Sequence, residues 1–154
     1  ALAKRIDNRG EKVYCLVGDG ECQEGTIWEA VMFAVHHQLN NLVILVDSNK
    51  IQKMDSLERI VGIHSWKEHF ETFGCSVEEV DGHNIHEIKQ VLEKENDSNK
   101  PKVVLLNTIK GKGVSIMENN ARWHWKLPSK KELKCFMEEL DISEEEIAEC
   151  KKLI

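Results

Sequence analysis

The chain of 154 residues lacks any apolar run long enough to span a bilayer, and no charged-then-apolar leader opens it, so neither a membrane segment nor a secretory signal is expected. A basic stripe is missing too. With 21 Lys and Arg against 27 Asp and Glu, the net charge is −6, the wrong sign for gripping a nucleic-acid backbone. The five cysteines, at 15, 22, 75, 135 and 150, are odd in number and form no Cys-x-x-Cys pair. That argues against a disulfide framework and a structural zinc, and it fits a reducing, cytoplasmic setting. Among the seven histidines, no pair has the spacing of a zinc helix motif with its glutamate. Internal repeats are absent. What remains is a globular composition, 41% apolar and 31% charged, on a length that suits one domain with a real core.

Four β-leaning runs stand out, at 13–17, 42–47, 75–80 and 102–108. Helical spacing separates them at 26–39, 65–73 and 84–95, and two acidic-polar helices follow near 129–139 and 143–153. Strands alternating with helices predict an α/β fold, a parallel sheet with helices on both faces. We expect an α/β domain over 1–128 and a helical extension over 129–154 packed on the same domain. Residues 110–128 read as an irregular stretch ordered mainly by ligand or partner. Ser or Thr followed by Glu three residues on recurs at Thr26, Ser65, Ser129 and Ser143, with Asn84 and Glu87 in the same relation, which predicts capping boxes.

The first strand run stops at Gly18-Asp19-Gly20 and the second at Asp47-Ser48-Asn49, thirty positions beyond the aspartate. If the two strands are parallel neighbours, Asp19 and Asn49 emerge at the carboxyl edge of the sheet, where open α/β sheets hold their ligands. Magnesium takes few protein carboxylates and leaves room for phosphate oxygens, so one Asp and one Asn suit an ion that arrives with a diphosphate. A backbone carbonyl just past Asn49 would complete the shell. Gly18 and Gly20 let backbone N–H groups approach phosphate, and the helix opening near Thr26 adds its positive end. The plain alternative is that Gly, Asp and Asn are ordinary loop punctuation.

From Val13 to Gln52 the sequence resembles the diphosphate-binding domain of thiamine diphosphate enzymes, and within them the transketolases, especially two-chain forms. The resemblance rests on Gly18-Asp19-Gly20-Glu21-Cys22-Gln23-Glu24-Gly25, Glu29-Ala30, Asp47-Ser48-Asn49-Lys50, Asp81-Gly82-His83-Asn84, Thr108-Ile109-Lys110-Gly111-Lys112-Gly113, and Met117-Glu118-Asn119 leading to Trp123-His124. It implies thiamine diphosphate with Mg2+, or Ca2+ or Mn2+ in its place, held by Asp19, the Asn49 side chain and the Ile51 carbonyl. Gly18 and Gly20 would meet the diphosphate, and His124 would lie near it and act in catalysis. Glu24, and Glu29 unless it caps its helix, would join a carboxylate cluster at a subunit interface near the cofactor. The implied activity is transfer of a two-carbon ketol unit from a ketose to an aldose, on a sugar or sugar phosphate. The implied partner is a complementary pyrimidine-binding subunit carrying the glutamate that acts on the aminopyrimidine, in a dimer or heterotetramer. The domain's N-terminal part would precede Ala1, making the chain a truncated one.

Two departures qualify the likeness. Trp125 follows the histidine where the family has Gly, and Lys53 stands where an apolar residue covers the thiazolium ring. A cation against a cationic ring is repelled, so a one-residue shift bringing Met54 over the ring is expected. Two other readings stand beside the transketolase one. They are another thiamine diphosphate enzyme component, of the deoxyxylulose phosphate synthase or 2-oxoacid decarboxylase type, and a non-catalytic assembly subunit retaining the fold. Cys22, in the glycine loop, reads as a small loop residue more than a reactive thiol.

Overall fold

A computed structural model describes residues 1–63, 65–96, 99–143 and 145–146. It divides into two compact units, Ala1–Lys50 with Ser56–Thr108, and Ile51–Asp55 with Ile109–Ile154.

The first unit begins with helix α1 (Leu2–Ile6), then strand β1 (Val13–Gly18), helix α2 (Gly25–His36), strand β2 (Leu42–Ser48) and two short helices, α3 (Leu57–Ile60) and α4 (Trp66–Thr72). Strand β3 (Ser76–Asp81), helix α5 (Ile85–Glu93) and strand β4 (Lys102–Asn107) complete it. All strand pairs are parallel and the sheet order is β1-β2-β4-β3. Strands β2 and β4 occupy the centre because their Val, Ile and Leu runs can be buried on both faces, the requirement of an inner parallel strand. On one face Ile44, Val46, Val103 and Leu105 pack with Val31 of α2 and Trp66 and Phe70 of α4. On the other, Val43 and Val104 meet Val91 of α5. The expected helices on both faces are therefore present. Edge strand β1 leaves Tyr14 and Leu16 exposed.

Helix α2 stops three residues before the predicted 39. Gln38 takes a left-handed φ of 50°. Its N–H donates to the Val35 carbonyl and that of Leu39 to Ala34, the paired reverse bonds of a Schellman ending. Apolar spacing carries on to Leu39 because that residue is buried just past the helix, not within it. The Arg5 guanidinium donates to the His37 and Gln38 carbonyls and satisfies the helix end.

The capping pattern holds in part. Ser129 and Glu132 exchange bonds in a full box that starts helix α6 (Lys130–Glu139) in the second unit. Ser143 and Glu146 exchange them likewise. Ser65 accepts from the Glu68 N–H, and Asn84 from those of His86 and Glu87. Thr26 and Glu29 are the correction. A 3-10 turn at Glu21–Gln23 feeds the chain into α2 one residue early, so Glu24 is the N-cap and no side chain caps the helix. Of the helix expected at 143–153, Ser143 lies before the helical residues Glu145 and Glu146, and 144 and 147–153 lie outside the described residues.

Nothing in the sequence marks Lys102 as special, yet at 3% exposure it is buried, with its ammonium 2.6 Å from the Val91 carbonyl and 3.2 Å from the Glu78 carboxylate. It thus satisfies the end of α5 and ties it to β3. Burial pushes the Glu78 carboxyl up, but hydrogen bonds and charge from Lys94 and Lys102 outweigh this and hold it below its ordinary 4.5. A carboxyl so depressed adds stability above its unfolded-state value and loses it as pH falls through the folded-state value. Replacing Lys102 by Met should leave the Val91 carbonyl without this donor and Glu78 with Lys94 alone, at a cost of about 1–3 kcal/mol. Urea unfolding at neutral pH tests this, and the gap between wild type and variant should narrow in acid.

Candidate functional site

Parallel pairing of β1 with β2 sets Gly18 opposite Asp47, so both strands end at the same rim. The Asp19 N–H continues the ladder to the Asp47 carbonyl at 3.1 Å, and Thr108 does the same to the Ser48 carbonyl at 3.2 Å. Asp19 is 2% exposed. One of its carboxylate oxygens accepts from the Gly20 N–H at 2.7 Å, the other from the Lys50 N–H at 2.6 Å. A single carboxylate thereby ties the loop leaving β1 to the loop leaving β2. It brings the Asn49–Lys50 peptide to the acid, and Lys50 takes a left-handed φ of 63° to allow it. A non-glycine residue in that region stores local strain of the kind that gathers at ligand sites.

The two glycines are not there for the backbone. Gly20 has φ −66° and ψ −34°, open to any residue, and a Cβ on Gly18 would meet nothing within 4 Å. At Gly18 the bare backbone leaves room for something outside the protein to come close. The Gly18 N–H meets Glu21 at 3.1 Å, and the Gly20 N–H is turned to Asp19. Nearby in sequence, the Gln23 side-chain NH2 is buried with no acceptor among the described residues. Buried donors are rarely left that way.

Cys22 is fully buried, and burial first, then Asp19 and Glu21, push its thiol up to about 12. It is a packing residue, not a nucleophile. Its carbonyl accepts from the Trp28 indole at 2.9 Å, and Trp28 stacks on Trp66 and against Phe70 and Phe73, with centroids 4.7–6.1 Å apart. This aromatic anchor under the glycine loop was missed in the sequence, although Trp28 falls at the helical spacing of a buried face. Glu24 and Glu29 are both exposed, Glu24 at the start of α2 and Glu29 within it.

The second unit holds Ile51 in its short segment 51–55 and His124 at the end of a 3-10 turn, Ala121–His124. His124 is exposed. The stretch from 110, expected to depend on ligand or partner for order, is held by its own bonds. Gly111 has φ 74°, and a Cβ there would lie 2.6 Å from Met117 Cβ. The Gly113 N–H donates to Glu118 at 3.0 Å, and the Trp123 indole to the Ile116 carbonyl at 2.8 Å. Trp123 also meets Phe136 of α6 edge-on at 5.3 Å. Glu139 of α6 accepts from both the Ser115 backbone N–H and its hydroxyl. Those two bonds hold the Glu139 carboxyl below its ordinary range. Chelation of one residue by one carboxylate was invisible in sequence, since the partners are 24 positions apart.

Among the described residues, no group of three or more His, Cys, Asp or Glu gathers for a metal, and no helix is long and apolar enough to cross a membrane. A parallel α/β unit with a buried acid bridging two loop tips at its carboxyl rim belongs to the class of sheet proteins that hold phosphate-bearing ligands there. Residues 4–149 match the family described as transketolase, thiamine diphosphate binding domain, and the chain belongs to that family. It is 37% identical over 140 residues to a subunit of the apulose-4-phosphate transketolase of Actinobacillus succinogenes, covering 91% of this chain and 51% of that protein. To the 6-deoxy-6-sulfo-D-fructose transketolase subunit SqwG of Clostridium sp. it is 39% identical over 125 residues, covering 80% of this chain and 46% of the relative. The chain thus spans about half the length of these curated relatives. Among solved structures, transketolase from Campylobacter jejuni superposes with a TM-score of 0.81 at 30% identity, over 92% of this chain and 23% of that one.

Because the loop of the second unit is self-supported, single changes should loosen it selectively. Gly111→Ala and Glu139→Ala are each expected to raise amide hydrogen exchange at Ser115 at least tenfold and leave β2 and β4 protected, as read by mass spectrometry or NMR.

Proposed function

We propose that the chain is the diphosphate-gripping part of a transketolase, acting in thiamine diphosphate- and Mg2+-dependent ketol transfer. The observation that carries this is the buried Asp19 carboxylate reaching both loop tips at one rim, in a chain of the thiamine diphosphate-binding family. The residues present fit the group. One carboxylate, the Asn49 amide oxygen and the Ile51 carbonyl offer the oxygen donors that magnesium, or Ca2+ or Mn2+, takes alongside diphosphate. The open space at Gly18 leaves room for phosphate oxygens, and the acceptor-less Gln23 amide favours an anionic ligand.

When bound, thiamine diphosphate supplies the carbanion chemistry that lets a two-carbon unit leave a ketose. This chain's own part is to neutralise, orient and exclude. Asp19 would hold the ion, and the loop glycines would leave room for the diphosphate. His124 is assigned a place near the reacting centre, where an imidazole can hold or move a proton on a sugar hydroxyl. The acid that acts on the aminopyrimidine is assigned to a complementary pyrimidine-binding subunit, in a dimer or heterotetramer. That is supported by the names of the two relatives, each of which is one subunit of its transketolase. A sugar or sugar phosphate is the substrate class, and the two relatives' names carry a phosphate and a sulfo group. The free thiols at Cys15, Cys22, Cys75 and Cys135 suit a cytoplasmic setting. Curated relatives named as transketolases favour ketol transfer over another thiamine diphosphate reaction.

Calorimetric titration of the chain with thiamine diphosphate and Mg2+, with and without the complementary subunit, tests the reading. Asp19→Ala should abolish binding, since the ion loses its one carboxylate. Unchanged binding in that variant removes the site. Ketol transfer is expected from the two subunits together and not from this chain alone, so activity of the isolated chain would refute the division of labour.

A further inference from the structure

The two departures from the family pattern, Lys53 and Trp125, lie 72 positions apart in the sequence yet line one cavity. It lies wholly within the second unit, has a volume of about 520 Å³, and is walled by Lys53, Met54, Ala121, Arg122 and Trp125. No acid lines it. Among the described residues, neither the Lys53 ammonium nor the Arg122 guanidinium has a hydrogen-bond or ion-pair partner. The contrast with Lys126 is instructive, for that ammonium lies over the Trp123 ring at 4.2 Å and pairs with Glu132. Two cations left together in a chain of net charge −6 repel one another unless an anion joins them.

The remaining walls are apolar and open. Trp125 is 69% exposed and Met54 79%. An indole face held beside cations suits a ligand with C–H surface at one end and a charge at the other. The mounts are firm. Arg122 sits in the 3-10 turn capped by the Asn120 side chain, Trp123 beside it is anchored on Ile116 and Phe136, and Lys53 rides a turn closed by the Gln52 N–H to the Asp55 carbonyl at 2.9 Å.

We propose that Lys53, Arg122 and Trp125 form a subsite for an anionic sugar, the two cations taking a phosphate or sulfonate and the indole lying along the carbon chain. As a substrate subsite it rests on the ketol-transfer reading, and it gives Lys53 an anion to face in place of a cationic ring. The guanidinium offers two parallel N–H donors to an oxyanion and the ammonium a compact point charge, a pairing suited to a tetrahedral phosphate or sulfonate.

D-ribose 5-phosphate, D-ribose and inorganic phosphate, titrated into the full chain and followed through the Trp125 indole N–H resonance and by calorimetry, test the subsite. Ribose 5-phosphate should bind at least tenfold more tightly than ribose or phosphate, and less tightly as salt is added. The double variant Lys53→Met, Arg122→Met should lose at least tenfold for ribose 5-phosphate and keep its thiamine diphosphate affinity. Trp125→Ala should weaken ribose 5-phosphate and leave phosphate unchanged. Equal binding of ribose and ribose 5-phosphate, or a double variant that binds like wild type, overturns the subsite. A double variant that loses thiamine diphosphate binding as well overturns it too, by assigning the cations to the cofactor. Should no form of the chain bind thiamine diphosphate while ribose 5-phosphate behaves as expected, the anion site stands and the reaction proposed for it falls.

Discussion

The rim of this sheet depends on one buried acid. Asp19 is almost wholly withdrawn from water, and backbone N–H groups at Gly20 and Lys50 turn to its two carboxyl oxygens. Hydrogen bonds to a charged group contribute about 1.5–3 kcal/mol each, more than an ordinary turn bond, so the acid can hold Lys50 in its left-handed conformation. In the proposed reading the same oxygens would take a divalent ion. What keeps the loops in place is also what a ligand would recruit.

That acid is placed by the sheet and not by its own loop. Strands β1 and β2, joined by the α2 crossover, run the same way, and their pairing brings Gly18 level with Asp47. Beneath the loop, Trp28 joins the Cys22 carbonyl to the ring cluster on α4, so the glycine turn rests on a stiff floor although its own residues are small. The second unit solves a similar problem by other means. Its long connection is almost without regular structure, yet Gly111, Trp123 and the Glu139–Ser115 pair stand in for strands and helices. Irregular backbone can be ordered if its polar groups are satisfied locally.

Much of the architecture was legible beforehand. The runs at 42–47 and 102–108, rich in β-branched and apolar residues, read as strands of a parallel sheet, and Gly-Asp-Gly with Asn at the right distance pointed to one rim. Less was legible where two mechanisms share a signature. Thr26 and Glu29 spell a capping box, but the preceding 3-10 turn started the helix early and left both residues within the helix. Leu39 continued a helical rhythm that a left-handed Gln38 had already ended. Segment 110–128 looked unsupported because its supports lie on α6 and in its own side chains, which no periodicity reports.

Taken alone, then, the order of residues determined the parallel α/β class, the two strand ends that meet, and the family, because these follow from hydrophobic period and from motifs that are contiguous along the chain. Tertiary structure decided the rest. It alone set the sharing of one carboxylate between two loops, the burial of Lys102 beneath α5, the inertness of Cys22 and the meeting of Lys53 with Arg122 and Trp125. Each of these is a matter of distance through space and of exclusion from water, and neither quantity is written in sequence separation.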